Sequence, residues 1–396
     1  MAIKIKQTVI LAGGLGTRMR PLTDTRPKPM VPVHGRPFLE YLIELVRRNG
    51  VRDIVLLLGY LPDKITEHFG NGEKFGVNIR YTITPVGDDT GTRLKKAEPL
   101  LDDHFLLMYC DNYWPMDLGR LEDFYGRQNV SASVVVFSNA NKMTKNNMFV
   151  DEHGYVSKYD KSRTDPGLNG VDTGFFLLDK KILELAPDGD FNFEKEIVPK
   201  LIAERQLAGY MTDHRYYSLG SIERLPITEK FFEPRKIVFL DRDGVINKKP
   251  TPADYVKQWE EFEFLPGAIE GLVWLSKHGY EIYIITNQPG IARGKMTQED
   301  LMQIHANMQR DLKVRGVLLS GIYVCSHGWD EGCRCRKPNP GLLYQAANEH
   351  YFDATKAIFI GDDPRDIEAG ETVGCRTIHM ESDGNLLKVV ESMEKI

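Results

Sequence analysis

Short apolar segments alternate with amphipathic helical segments along most of this 396-residue chain. This alternation is typical of parallel β-sheets with helices on both faces, because each parallel strand must be reached by a crossover. The predicted helices are Phe38 to Asn49, Leu118 to Gln128, Ala268 to His278, Gln298 to Arg315, Gly341 to His350 and Asp363 to Val373. The sequence therefore predicts an α/β fold in both halves.

Length and composition indicate more than one domain. At 396 residues two or three domains are expected, and 42% apolar residues suffice for two buried cores. The halves share no motif, and a short joint near Phe232 to Arg235 divides them into domains at residues 1–232 and 236–396. A net charge of −5, without a basic stripe, argues against a nucleic-acid partner.

One strand runs directly into two aspartates. The segment from Lys236 to Asn247 reads KIVFLDRDGVIN. Asp241 could attack phosphorus, Asp243 could protonate a leaving alkoxide, and Gly244 allows a sharp turn. Taken alone, the pattern is also that of an ordinary Asp-Gly turn.

Later strands also end in residues that phosphoryl transfer requires. A hydroxyl and two amides suit phosphate oxygens, two cations can neutralise them, and a carboxylate suits Mg²⁺. These residues are Thr286, Asn287 and Gln288, then Arg336 and Lys337, then Asp362. Because ligands of parallel sheets bind at the carboxyl ends of the strands, we expect one shared crevice.

These motifs resemble the haloacid dehalogenase-like phosphatases, from about Lys236 to Met380. The resemblance implies a Rossmann-like domain in which Asp241 is the nucleophile and Asp243 the acid/base. Thr286 and Lys337 would hold the phosphoryl group. Mg²⁺ would bind to Asp241, the backbone carbonyl of Asp243, and Asp362.

Three thiols and one imidazole lie within eleven residues. They belong to Cys325, His327, Cys333 and Cys335, and this set matches a closed, structural zinc site. Neither a signal peptide nor an apolar run of about eighteen residues is visible, so we expect reducing cytosol and no membrane segment. A disulfide is the weaker alternative, and unliganded loop cysteines are another.

The zinc loop, FLDRDGVIN and TNQPGIARG together resemble the D,D-heptose 1,7-bisphosphate 7-phosphatases, with histidinol-phosphate phosphatases as near relatives. The segment Gly290 to Gly294 favours the heptose branch. There Arg293 would help to grip the substrate, although an arginine after a strand is otherwise often solvated surface.

The first half carries a glycine-rich loop after a predicted strand at Thr8 to Leu11. Glycines at a strand end let backbone N–H groups approach phosphates, and two cations follow closely. The residues are Gly13, Gly14, Gly16, Arg18 and Lys28. Their spacing predicts a clamp for a triphosphate.

The segments LAGGLGTRMRPLT and RPKPMVPVHGRPFLEYLI resemble the sugar-1-phosphate nucleotidylyltransferases, from about Lys6 to Leu225. The resemblance implies a mixed, mainly parallel sheet. Arg18 and Lys28 would stabilise charge as a sugar phosphate attacks the α-phosphate. It also implies Mg²⁺ on Asp111 and sugar contacts by Lys161, Gly174 and Glu194, each of which could otherwise be a turn or a solvated face.

Two positions depart from that family. Ser218 stands where relatives usually carry a second metal-binding aspartate, and Asp213 or another acid would have to substitute for it. Arg93 stands where alanine is common beside the nucleotide. The N-terminal half is therefore either an active enzyme or a silent module that binds a sugar nucleotide.

The two resemblances imply consecutive reactions. A heptose 1,7-bisphosphate would lose its 7-phosphate at the C-terminal site, and the heptose 1-phosphate would then receive a nucleotide. The N-terminal half resembles the heptose-1-phosphate and mannose-1-phosphate guanylyltransferases, so GTP is the expected donor. The alternative is a phosphatase for heptose bisphosphate or histidinol phosphate, joined to the silent module.

One predicted helix, Gln298 to Arg315, contains a histidine and two methionines. We expect Met302 and Met308 to pack in the core and His305 to be solvated, without any role in binding a cofactor.

Overall fold

The computed structural model describes residues 3–251 and 254–393. These residues form two compact units that divide between Phe232 and Glu233, and each unit contains its own principal β-sheet. Within the described ranges, no helix has the combination of length and apolar character that crossing a membrane requires.

The N-terminal unit contains six α-helices and thirteen strands among its described residues. The helices are α1 (Phe38–Arg48), α2 (Asp63–Phe69), α3 (Thr90–Lys96), α4 (Leu118–Gln128), α5 (Val198–Ala203) and α6 (Leu225–Phe232). The strands are β1 (Gln7–Ala12), β2 (Pro32–Val33), β3 (Arg36–Pro37), β4 (Asp53–Leu58), β5 (Asn78–Ile83), β6 (His104–Tyr109), β7 (Asn112–Tyr113), β8 (Ala132–Phe137), β9 (Met148–Val150), β10 (Val156–Tyr159), β11 (Val171–Asp179), β12 (Leu207–Thr212) and β13 (Tyr217–Ser218).

Seven of these strands form one mixed sheet in the order β12-β8-β11-β6-β1-β4-β5. Strand β11 is antiparallel to both of its neighbours, whereas the other neighbouring pairs are parallel. In β1, Val9 and Leu11 pack with Leu94 of α3 and Leu201 of α5, and the intervening Ile10 is also fully buried. A strand buried on both faces reads as a continuous apolar run, which is how β1 was recognised in the sequence.

The C-terminal unit is a parallel α/β unit. Its strands are β14 (Lys236–Leu240), β15 (Tyr280–Asn287), β16 (Leu319–Cys325), β17 (Ile358–Gly361) and β18 (Arg376–His379). Its helices are α7 (Ala268–Lys277), α8 (Gln298–Val314), α9 (Gly341–His350), α10 (Pro364–Val373) and α11 (Leu386–Ser392). The five strands lie in the order β16-β15-β14-β17-β18, and every neighbouring pair is parallel.

Alternate residues of β14 enter different hydrophobic cores. Val238 and Leu240 pack in a cluster that includes residues of α7, α8 and α11. Ile237 and Phe239 pack in a second cluster with residues of α9 and α10. Because successive side chains of a strand point to opposite faces, helices cover both faces of this sheet. With both faces covered, a ligand can approach the sheet at the carboxyl ends of its central strands.

The predicted α/β fold is confirmed, and all six predicted helices are present with ends that differ by at most one residue. Side-chain hydrogen bonds define two of the helix starts. Thr297 and Asp300 form a reciprocal capping box at α8, and Asp363 and Asp366 form another at α10.

The expectation that Met302 packs in the core was wrong, because that side chain is 61% exposed, whereas Met308 is fully buried as expected.

We expect Phe239→Ala to lower the unfolding free energy of the C-terminal unit by about 3–5 kcal/mol, because it leaves a cavity beneath the central strand. The Phe239 ring is fully buried and contacts the rings of Phe352 and Phe359. Urea unfolding followed by tryptophan fluorescence measures this, because three of the four tryptophans lie in this unit. Val314→Ala, at an 82% exposed side chain, is the control. A loss below about 1 kcal/mol for Phe239→Ala would contradict the packing.

Candidate functional sites

A cleft of about 200 Å³ lies at the carboxyl edge of the five-stranded sheet. Six residues that the sequence analysis selected line it: Asp241, Asp243, Thr286, Asn287, Arg336 and Lys337. The two aspartates follow β14, Thr286 and Asn287 are the last residues of β15, and the two cations precede α9. Residues far apart in sequence meet here because parallel strands end at one edge.

The ammonium of Lys337 lies between two carboxylates. Its Nζ is 2.8 Å from Asp241 Oδ1 and 2.7 Å from Asp366 Oδ1, and it donates to the carbonyl of Ile285 at 2.8 Å. Although burial opposes it, Asp241 and Asp366 raise the pKa of Lys337. Burial raises the pKa of Asp241 to about 7, against the attraction of Lys337. The cleft thus holds a permanent cation beside the carboxylate predicted to attack.

The carboxylate of Asp243 accepts hydrogen bonds from three side chains. Arg242 Nη2 donates to both oxygens at 2.8 and 2.9 Å, Asn247 Nδ2 donates to Oδ1 at 2.8 Å, and Gln288 Nε2 donates to Oδ2 at 2.8 Å. Although burial opposes it, Arg242 and the other donors hold the pKa of Asp243 below its usual range. In this arrangement Asp243 is ionised and able to accept a proton.

Behind Asp243 lies a buried pair that the sequence analysis missed. The Arg242 side chain is fully buried, and its Nη1 is 3.1 Å from Nε2 of His305 on α8. Burial and Arg242 lower the pKa of His305 to about 3, so the imidazole is neutral and accepts this hydrogen bond. The expectation of a solvated histidine was wrong, because this helix face turns inward against the loop after β14.

Three carboxylates form a cluster suited to a cation. Oxygens of Asp241, Asp362 and Asp366 all lie within 4.8 Å of one another. Asp362 Oδ2 accepts from Lys249 and Ser382, both at 2.6 Å, whereas its buried Oδ1 has no hydrogen-bond partner among the described residues. A buried carboxylate oxygen without a donor is costly, so this donor set fits Mg²⁺. The segment from Gly361 to Asp366 was expected to supply carboxylates for Mg²⁺, with Asp362 as the ligand, and Asp366 joins Asp362 in the cluster from the first turn of α10.

Gly244 is required for this cluster to be compact. Its φ is +93°, a conformation that favours glycine. A Cβ at this position would lie 2.3 Å from Asp362 Oδ2. The turn after Asp243 can therefore lie against Asp362 only without a side chain.

Two amides organise the cleft wall. Asn287 donates to the backbone carbonyl of Lys337 and accepts from its backbone N–H, both at 3.1 Å. Gln288 is buried and donates to Thr286 Oγ1 at 3.0 Å as well as to Asp243. These contacts fix the loop of Lys337 and the orientation of Thr286.

The two predicted substrate-binding arginines are placed differently. Arg336 lines the main cleft and an adjoining one. Arg293 is not among the described residues that line the main cleft, and instead donates from Nη1 to the Tyr255 hydroxyl at 2.9 Å. Its guanidinium carbon also lies 4.7 Å from the ring centre of Trp329. Tyr255 and Trp329 both line the cleft, so Arg293 contacts two residues of the cleft wall without lining the cleft itself.

The four zinc-type residues converge in a compact group. Cys325 Sγ is 3.7 Å from Cys333 Sγ and 3.4 Å from Cys335 Sγ, and His327 Nδ1 is 3.1 Å from Cys335 Sγ. All three cysteines are free thiols. A tetrahedral zinc with Zn–S bonds of about 2.3 Å would separate its sulfurs by roughly 3.8 Å. The donor set therefore fits zinc in both type and spacing.

In the N-terminal unit, the predicted residues line two cavities with shared walls. One cavity of about 310 Å³ is lined by Gly13, Gly14, Gly16, Arg18, Lys28 and Asp111. The other, of about 470 Å³, again includes Arg18 and Asp111 and adds Lys161, Gly174 and Glu194. Lys28 Nζ lies 2.5 Å from Asp111 Oδ2, and Lys161 pairs with Glu194. A long ligand could therefore extend from the glycine loop to Glu194.

Arg93 lies beneath the glycine loop. It is 3% exposed and donates to the carbonyls of Leu58, Pro85 and Val86 at 2.9 to 3.0 Å. Burial lowers the pKa of Arg93. A Cβ on Gly13 would lie only 2.5 Å from its guanidinium carbon. Arg93 thus ties the ends of β4 and β5 together under Gly13.

The position of the missing aspartate is occupied by a hydroxyl bonded to an arginine. Ser218 Oγ accepts from Arg224 Nη1 at 3.0 Å, and both residues line the second cavity. Asp213 accepts from the Ser138 hydroxyl and is not among the described residues lining that cavity. Among the residues described, Asp111 belongs to no group of three metal-type ligands. Mg²⁺ here would depend on one carboxylate and on substrate phosphates, which is an arrangement that Mg²⁺ commonly takes.

A second acid, Asp172, lines the cavity of about 470 Å³ and was missed from the sequence. Asp172 accepts from the backbone N–H of Gly174 at 2.7 Å. Burial and nearby Glu194 raise the pKa of Asp172 to about 7. Nothing in the sequence distinguishes this aspartate from one in an ordinary turn, because its neighbour Glu194 lies on a distant segment.

Two family models match different parts of the chain. A model of the nucleotidyl transferase family matches residues 7–233, so the chain belongs to that family. An HAD-hydrolase-like model matches residues 334–391. The crystal structure of HddC from Yersinia pseudotuberculosis matches with a TM-score of 0.50 at 25% identity, covering 57% of this chain and 99% of that chain.

The C-terminal half matches curated phosphatases. D-glycero-beta-D-manno-heptose-1,7-bisphosphate 7-phosphatase of Helicobacter pylori is 45% identical over 136 residues, which are 34% of this chain and 77% of that protein. D-glycero-alpha-D-manno-heptose-1,7-bisphosphate 7-phosphatase of Photorhabdus laumondii is 41% identical over 146 residues, 35% of this chain and 78% of that protein. This half belongs to the family of these phosphatases. The chain is an enzyme that joins a nucleotidyltransferase to a haloacid dehalogenase-like phosphatase.

We expect His305→Gln to flatten the pH dependence of stability in acid. Between about pH 6.5 and about pH 3 the unfolded chain binds a proton that folded His305 excludes, so stability falls as pH falls through that window. At pH 5 the exclusion of this proton should lower the free energy of unfolding by about 2 kcal/mol relative to pH 7. Glutamine can still accept from Arg242 but does not titrate.

Urea unfolding at pH 7 and pH 5, followed by tryptophan fluorescence, measures the difference. His379→Gln, at an exposed ring, is the matched control and should keep the wild-type difference. Equal pH dependence in wild type and His305→Gln would show that this imidazole is not held neutral by the fold.

Proposed function

We propose that the chain catalyses two consecutive steps in the synthesis of a nucleotide-activated heptose. The C-terminal unit would remove the 7-phosphate of D-glycero-D-manno-heptose 1,7-bisphosphate, and the N-terminal unit would join the heptose 1-phosphate to a nucleotide. The observation that carries the proposal is the buried Lys337 between Asp241 and Asp366 in the cleft of a phosphatase whose relatives act on this substrate.

The phosphatase reaction is proposed to proceed through an aspartyl-phosphate. An Asp241 oxygen forms a bond to phosphorus as the bond from phosphorus to the sugar oxygen breaks, and Lys337 neutralises the phosphoryl oxygens. Water then attacks the phosphorus, Asp243 accepts its proton, and orthophosphate leaves as Asp241 is restored.

Asp243 must also supply the proton of the first step. In the resting arrangement it is ionised and bound by Arg242, Asn247 and Gln288. An incoming phosphate dianion would raise its proton affinity, because like charges disfavour a second anion nearby. The proton would then pass to the sugar oxygen, and Asp243 would be ready to act as the base.

Two metals accompany this half of the proposal. Mg²⁺ would be held by Asp241, Asp362 and the backbone carbonyl of Asp243, with Asp366 completing the acidic cluster, and would supply charge neutralisation to the phosphoryl group. Zinc would be held by Cys325, His327, Cys333 and Cys335 as a structural ion. The loop that it closes leads directly into Arg336 and Lys337.

For the N-terminal unit, we propose in-line nucleotidyl transfer without a covalent intermediate. The glycine loop would bind the triphosphate, while Arg18 and Lys28 stabilise the charge on the α-phosphate and the departing pyrophosphate. Lys161, Gly174 and Glu194 would position the sugar, and Mg²⁺ would be held by Asp111. GTP is proposed as donor from the resemblance of the N-terminal motifs to guanylyltransferases.

The test is a ³¹P NMR time course with Mg²⁺, each anomer of heptose 1,7-bisphosphate, and GTP, ATP, CTP or UTP. Wild type should release orthophosphate and then pyrophosphate, with a new pair of diphosphate-diester signals. Asp241→Asn should stop orthophosphate release, whereas Lys28→Ala and Asp111→Ala should stop pyrophosphate release and leave phosphatase turnover within about twofold. The phosphatase half is therefore the folding control for Lys28→Ala and Asp111→Ala. For Asp241→Asn, heptose 1-phosphate is supplied directly, and pyrophosphate release from it is the folding control.

The other outcomes are informative. Release of orthophosphate without pyrophosphate, with every nucleotide, would favour the alternative of a silent N-terminal module. The hydrogen bond from Arg224 to Ser218, where relatives have a metal-binding carboxylate, would then be consistent with lost catalysis. Orthophosphate release by purified Asp241→Asn would remove Asp241 as nucleophile. Absence of heptose bisphosphate turnover would direct the search to histidinol phosphate.

Protein purified without chelator should contain about one equivalent of zinc, because four preorganised ligands bind this ion tightly. Cys333→Ser should lower the zinc content and the thermal stability of the C-terminal unit. Elemental analysis and a melting curve measure both, and Cys375→Ser, at a thiol outside the cluster, is the control. Less than about half an equivalent in wild type would contradict a structural zinc.

A further inference from the structure

The main cleft of the phosphatase unit has an exposed aromatic ring in its wall. Trp329 is 60% exposed, although it lines the same cleft as Asp241 and Lys337. Among the described residues that line the cleft, Tyr255 is the one other aromatic residue. Most of the remaining lining residues are charged or polar. A large apolar face kept in water beside a charged reaction centre suggests a ligand with an apolar face of its own.

The position of Trp329 is defined by its neighbours. The Arg293 guanidinium lies 4.7 Å from the centre of the ring and simultaneously donates to the Tyr255 hydroxyl at 2.9 Å. Tyr255 in turn packs on Gly290, where a Cβ would lie 2.9 Å from Cγ of the tyrosine ring. Arg293 therefore joins two aromatic rings that come from separate segments of the unit.

The loop of Trp329 is also held at both ends. His327 lies two residues before it and Cys333 four residues after it, and both belong to the compact Cys/His group. A ring presented on a short, closed loop loses little conformational freedom when it binds a ligand. A zinc ion bound by this group would therefore restrict the motion of the loop that carries Trp329.

We propose that Trp329, with Tyr255 beside it, forms an aromatic platform for the sugar ring of the substrate. This rests on the proposed function, since the reacting phosphate must lie at Asp241 for the ring to extend along the cleft wall. The C–H face of a pyranose is apolar and its hydroxyl groups point outward, so it can cover an aromatic ring while remaining solvated at its edge. Arg293 acts as a positioning residue for the platform.

The platform gives the site a means of selecting cyclic sugar phosphates over small phosphate esters. Both kinds of substrate would use Asp241, Asp243 and Lys337 in the same way. Only a substrate with a ring would gain from Trp329, so its loss should be visible for one kind of substrate and not for the other.

The experiment compares two substrates in the full-length protein with Mg²⁺. One is the heptose 1,7-bisphosphate anomer that wild type hydrolyses faster, and the other is acetyl phosphate, which has no ring. For Trp329→Ala, kcat/KM for the sugar bisphosphate should fall about tenfold, mainly through KM, the size expected for one lost aromatic contact. Turnover of acetyl phosphate should stay within about twofold of wild type.

Two further variants separate contact from structure. Trp329→Phe retains a ring and should recover most of the lost kcat/KM. Leu318→Ala changes another exposed apolar side chain, 69% exposed and not among the described residues lining the cleft, and should behave like wild type. Zinc content measured on each variant reports whether the loop is intact.

Equal losses for both substrates, or no loss for the sugar bisphosphate, would overturn the platform. If wild type ignores heptose bisphosphate but hydrolyses another cyclic sugar phosphate, such as mannose 6-phosphate or fructose 1,6-bisphosphate, with the same dependence on Trp329, the platform stands and the heptose assignment fails. Hydrolysis of acetyl phosphate but of no sugar phosphate would overturn both.

Discussion

The ion triad of Asp241, Lys337 and Asp366 is the interaction on which the phosphatase site depends. A lysine that is 2% exposed can remain charged only because two carboxylates and one carbonyl lie within 2.8 Å of its ammonium. The three residues come from the end of β14, the loop before α9 and the first turn of α10, so one buried cation unites three segments. It also explains how the carboxylates of Asp241 and Asp366 can lie close together.

The two halves use a similar device in different folds. In the N-terminal unit Lys28 pairs with Asp111 at 2.5 Å, and in the C-terminal unit Lys337 pairs with Asp241 at 2.8 Å. Each pair lies at the carboxyl edge of a parallel region, beside a glycine turn that lets backbone come close. A substrate phosphate in either site adds negative charge to a lysine that already has a carboxylate partner, so further cations are needed. Arg18 in one half and Arg336 in the other line the respective cavities and can provide them.

Much of this architecture was predictable, for reasons that are local. Strands β1 and β14 are buried on both faces and each contains a run of four apolar residues, whereas α8 was predicted from an amphipathic pattern. The residues at strand ends were predictable because their chemistry is specialised and their order along the chain is regular. The prediction was incomplete where one residue has two roles. Asp366 caps α10 and also pairs with Lys337, and no sequence signal indicated the pairing with Lys337.

The sequence by itself determined the α/β class, six of the eleven α-helices described, and the set of polar residues that the strand ends deliver to each cleft. These follow from periodicity and from the rule that parallel strands end together, both of which act over short stretches of chain. Only the tertiary structure decided which side chains act as pairs. His305 became the partner of Arg242, Arg93 came to lie under Gly13, and Trp329 came to line the cleft of Asp241. Burial and the direction of a side chain depend on segments distant in sequence, so no local pattern could specify these contacts.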